Sequence, residues 1–103
     1  MMRNNVKIFE NREFGRLTVI EKDGEFFFIG KEVAEKLGYS NTRDALARHV
    51  EVEDKADVVI HDGRQNRMMV AINESGLYSL ILSSKLPQAK RFKAWVTGEV
   101  LPS

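Results

Sequence analysis

The chain has 103 residues, of which 43% are apolar and 30% charged, with a formal net charge of +1. This is enough for one globular domain with one core, and too balanced in charge for disorder. There is no cysteine, which excludes a disulfide framework and a thiolate metal site and is compatible with the cytoplasm; no apolar run has membrane-spanning length, and no signal peptide opens the sequence.

The opening segment NVKIFENREFG is expected to be a strand with Val6, Ile8 and Phe14 facing inward. In GRLTVIEKDGEFFFIG, Leu17 and Val19 alternate with Thr18 and Ile20. Asp23-Gly24 supplies a tight hairpin turn, because both residue types accept positive φ. The returning strand, residues 26–29, is apolar on both faces and so belongs in the middle of a sheet. A helix over residues 31–37 follows, with Val33, Ala34 and Leu37 on one side and Gly38 at the left-handed stop position. Ser40 or Asn41 caps the next helix, on which Ala45, Leu46, His49 and Val50 share a face.

After an acidic connector, VEVEDKAD, the segment DVVIHDGRQNRMMVAI reads as a second hairpin turning at Asp62-Gly63. Asn73 caps a helix over Glu74–Ser83 with Leu77, Leu80 and Ile81 inward. Pro87 fits the first turn of a last helix, on which Ala89, Phe92, Trp95 and Val96 form the apolar arc. The fold class is therefore α+β: an N-terminal strand and two β-hairpins, each hairpin followed by a pair of short helices. Residues 1–103 form one domain, expected to be the N-terminal part of a longer protein.

Charge is unevenly placed. Residues 51–57 carry Glu51, Glu53, Asp54 and Asp57 against Lys55, whereas residues 63–98 carry Arg64, Arg67, Lys85, Lys90, Arg91 and Lys93 against Glu74. A basic second half is what contact with a phosphate backbone needs, although a solvated surface also looks like this. The segment VAEKLGYSNTRDALARH has the small-residue and turn positions of a helix-turn-helix, but Asp44 stands where an apolar residue is usual. It is either a base-reading helix or a packed helix pair. On the first reading Asn41, Thr42 and Arg43 are the exposed start of the reading helix. Arg48, four residues after Asp44, is suited to an intrahelical ion pair, and His49 to the core.

The hairpin tip offers Arg64, Asn66 and Arg67, and the last helix offers Lys90 and Lys93 off its buried stripe. Either group can contact phosphate. Of Met68 and Met69, a regular strand must point one outward. His49 and His61 are far apart, and no nucleophile elbow, zinc, P-loop or dinucleotide motif is present. An enzyme, a metal site and a cofactor are therefore not expected.

FFFIGKEVAEKLGYSNTRDALARHVEVEDK, INESGLYSLILSSK and AKRFKAWVTGEVLP, in that order, resemble the BRO family N-terminal domain (Bro-N) over residues 6–102. The resemblance implies the DNA-binding module of a phage or prophage antirepressor acting on double-stranded DNA in the bacterial cytoplasm. The alternative is a protein-interaction module that seizes a phage repressor or forms a homo-oligomer. No membrane partner is implied, and the resemblance assigns no catalytic or base-contacting residue.

Overall fold

A computed structural model of the chain describes residues 5–61 and 63–101. Asp62, half of the expected second turn, lies outside the described residues. Strands β1 (Asn5–Asn11), β2 (Gly15–Lys22) and β3 (Glu25–Ile29) form an antiparallel meander. At the β2–β3 turn Asp23 and Gly24 have φ of 56° and 79°, the left-handed pair that a two-residue hairpin requires. Strands β4 (Lys55–His61) and β5 (Asn66–Ile72) form the second hairpin. The five strands make one antiparallel sheet in the order β1-β2-β3-β5-β4. The predicted N-terminal strand is thus the edge of a three-stranded unit, and β3 is central as its two-sided apolar pattern requires.

Four helices cover one face: α1 (Gly30–Lys36), α2 (Thr42–His49), α3 (Glu74–Ser83) and α4 (Gln88–Trp95). Beneath them Leu17, Val19, Phe28 and Ile72 from the sheet meet Val33, Leu37, Leu46, Leu77, Leu80, Phe92 and Val96 from the helical side. Caps follow the expected chemistry. The Asn41 side-chain oxygen accepts from Asp44 N–H, and that of Asn73 from Gly76 N–H. Gly38 stops α1 with φ of 87°. The Tyr39 hydroxyl, pushed to a higher pKa by burial, donates to the Leu80 carbonyl at 2.8 Å. Ser84 donates to the Leu37 carbonyl at 3.0 Å. These two bonds fasten the α1–α2 turn to α3, and His49 rests half-buried against the Tyr39 ring.

The opposite face holds a second cluster made of strand residues alone: Ile20, Ile29, Val58 and Ala71, with Phe27, Ile60 and Met69 packed around them. Ile20, Ile29 and Ala71 are exposed by 1% or less. An open flat sheet cannot bury side chains so completely, so the sheet curls around this cluster. The expectation for β1 is corrected here. Register pairs Val6 with Ile20 and Ile8 with Thr18, which puts both on the face without helices, where they are about half exposed. Phe9, opposite Leu17, is the β1 residue turned toward the helices.

Candidate nucleic-acid interface

The joint between the two hairpins is short. Strand β3 pairs with β5 only through Phe28↔Ile72 and Ile29↔Ala71. The β4–β5 ladder continues past it for five further rungs, Asp57↔Val70 to His61↔Asn66. At about 3.4 Å per residue, this two-stranded ribbon runs roughly 17 Å past the end of β3. Its tip carries the sequence-predicted residues Arg64, Asn66 and Arg67, all exposed. Asn66 Oδ1 lies 3.0 Å from His61 Nδ1 across the ribbon, an approach that holds the strand ends together. By register Arg67 lies opposite Ile60, on the ribbon face that carries Met69 and the second cluster. Met68 is the outward methionine, 73% exposed, and with Val59 and Val70 it gives the helix-side face of the ribbon an open apolar strip.

The start of α2 stands beside that strip. A cleft of about 510 Å³ is lined by Thr42, Arg43, Leu46 and Ala47 of α2, by Met68 and Val70 of β5, and by Lys31 and Lys55. Gly30 makes the approach possible. A Cβ there would stand 2.9 Å from Leu46 Cδ2 and 3.3 Å from the Val70 carbonyl oxygen, so a larger residue would have to displace the Leu46 side chain and crowd β5. Asn41 is present at the helix start, but its side-chain oxygen is engaged in the cap. Arg48 is paired with Asp44 at 3.1 Å, as its spacing suggests, and takes no part in the cleft. The structure thus brings Thr42 and Arg43 to the ribbon whose tip bears Arg64, Asn66 and Arg67.

Lys31 and Lys55 carry no signal of this role in the sequence. Lys55 lies inside the acidic connector and Lys31 opens a helix. Only the packing of α2 against β5 puts both beside Arg43. Asp57, exposed on β4 opposite Val70, stands two positions after Lys55 on the same strand.

Lys90 and Lys93 are elsewhere. Helix α4 sits over the β1–β2 turn, where Phe14 packs edge-on against Phe92 at 5.2 Å and stacks on Trp95 at 6.0 Å. Arg91 grips Glu13 there with its shortest bond at 2.6 Å. Helix α2 lies instead beside β5, at the other flank of the helical layer. The lysines line a separate groove with the end of α3 and share no wall with the Arg43 cleft.

Residues 16–102 match the family model described as BRO family, N-terminal domain. A protein of Haemophilus influenzae is 35% identical over 98% of this chain and 51% of its own length. A Bro-N domain-containing protein of Invertebrate iridescent virus 6 is 38% identical over 75% of this chain and 23% of its own. A Bro-N domain-containing protein of Acanthamoeba polyphaga mimivirus is 31% identical over 99% and 47%. The chain therefore spans about half or less of the length of these relatives. No solved structure matches.

Proposed function

The chain belongs to the BRO family by its N-terminal domain, and on that premise we propose that it binds double-stranded DNA as the non-enzymatic recognition module of a phage-type transcriptional regulator, an antirepressor working in the bacterial cytoplasm. The observation that carries this reading is the ribbon running past β3, with Arg64 and Arg67 toward its tip and the cleft of Lys31, Arg43 and Lys55 at its root. The major groove of DNA admits a two-stranded ribbon. With the ribbon in the groove, both of its faces meet groove walls, so Arg67 on one face and Met68 on the other are both in use. The start of α2 then meets the flanking backbone, where Arg43, Lys31 and Lys55 neutralise phosphates and displace counterions.

A duplex titration over a range of salt concentrations tests this. Arg43→Ala, Arg64→Ala and Arg67→Ala together should weaken binding at every salt concentration. The log–log salt slope should fall by about one for each phosphate that the variant no longer neutralises. With protein dilute enough to be monomeric, Lys90→Ala with Lys93→Ala should leave affinity and slope as they are. Asp57→Asn should tighten binding, since it removes a like charge to phosphate beside Lys55. An unchanged affinity and slope in the triple arginine variant would falsify the assignment.

A further inference from the structure

Val52 and Leu82 are the most exposed large apolar side chains among the described residues, at 83% and 80%. Each sits in a setting of one charge, and the two charges are opposite. Val52 stands between exposed Glu51 and Glu53 on a single 3₁₀ turn, Val52–Asp54. Leu82 borders a groove of about 780 Å³ with Leu86 and Pro87, rimmed by Lys85, Lys90 and Lys93 and by no acidic residue. Arg91 also borders it but is engaged with Glu13.

The acidic turn is rigidly presented. Asn73 Nδ2 donates to Asp54 Oδ1 at 3.1 Å, and Asn73 N–H donates to the Asp54 carbonyl at 3.0 Å. Asp54 is thus fastened to the cap of α3, while Glu51, Val52 and Glu53 point outward. The turn marks the start of α3 and the lysine groove its end. One helix therefore separates two surfaces, each supplying what the other lacks.

We propose that the lysine groove receives the Glu51-Val52-Glu53 turn of a second copy of this chain. Val52 covers Leu82 and Leu86 while the two glutamates meet Lys85, Lys90 and Lys93. Because the two surfaces are different and lie at opposite ends of α3, the association is head-to-tail and repeats into a ring or an open string. It does not depend on the DNA reading.

Sedimentation velocity over a protein concentration series tests it in full. The wild-type mass should rise above the monomer at about 0.01 M ionic strength and fall back at about 1 M, where screening shortens to about 3 Å. Lys85→Glu, Lys90→Glu and Lys93→Glu together should give a monomer. So should Glu51→Lys with Glu53→Lys. An equimolar mixture of the two charge-reversed chains should associate again, because each then carries the complement of the other. Leu82→Ser, a change at an exposed position that spares folding, should lower association without altering charge. A wild type that stays monomeric at low salt overturns the proposal, as does a mixture that fails to recover. A monomer on lysine reversal with glutamate reversal silent overturns it too, since the groove would then serve a different acidic partner.

Discussion

At Thr18 a carboxylate stands in for a strand. Strand β3 ends at Ile29 and the chain turns into α1, so β2 has no partner residue beyond Val19 on that side. Glu32, in the first turn of α1, fills the gap. Its Oε1 accepts from Thr18 N–H at 2.8 Å and its Oε2 from the Thr18 hydroxyl at 3.0 Å. Both donors are part-buried, and a donor left without a partner there costs its desolvation. Glu32→Ala should therefore lower unfolding stability by about 1–3 kcal/mol, read as a shift of the urea midpoint at constant slope. Glu32→Gln, which keeps one acceptor oxygen, should lose less. Equal stability in all three chains would show that water replaces the carboxylate at no cost. Nothing in the KEVAEKL pattern distinguishes Glu32 from Glu35, because the difference is where β2 lies and not how the helix is spaced.

Among the elements, the ribbon is the one that runs on past its neighbouring strand. Its five outer rungs have no third strand beside them, whereas Ala71 and Ile72 are clasped between β3 and β4. Native-state hydrogen exchange should thus show graded protection along β5, greatest at residues 71 and 72 and falling toward residue 66. Uniform protection along β5 would mean that the ribbon is braced by something other than the sheet. This gradient also bears on binding, since a ribbon that enters a groove gains from local give at its tip and a fixed root.

The helices were legible because their signals are local. Asn41, Asn73 and Gly38 announce their ends by chemistry that needs no neighbour, and the Asp44–Arg48 pair follows from spacing alone. The sheet was legible only within hairpins. That β5 rather than β4 joins β3, and joins it for two pairs, depends on pairing between residues more than forty positions apart in sequence. The reach of the ribbon past β3 and the second cluster that joins Ile20 and Ile29 to Val58 and Ala71 both follow from that join. For the same reason the sequence placed Arg43, Lys90 and Lys93 in one candidate set, although α2 and α4 lie on different flanks.

Across the whole molecule, the α4 flank is tied to the beginning of the chain at one corner. Glu13 in the β1–β2 turn and Arg91 on α4 are 78 residues apart and joined by three hydrogen bonds of 2.6–2.9 Å. Phe14, next to Glu13, packs against both Phe92 and Trp95 and supplies the apolar part of the same clasp. The Arg91 guanidinium, by hydrogen bonding first and by charge second, holds the Glu13 carboxyl below the ordinary value of 4.5, and Glu13 in turn raises Arg91. A carboxyl that binds its proton less readily when folded stabilises the fold above its unfolded pKa. That contribution disappears as pH falls through the lowered native value. The urea midpoint of the wild type should therefore exceed that of Glu13→Gln at neutral pH, and the two should converge in acid below the native pKa of Glu13. Both side chains are exposed, so salt at neutral pH should narrow the gap as well. Equal midpoints at neutral pH would assign the clasp to Phe14 packing alone, and Phe14→Ala would then account for all of it.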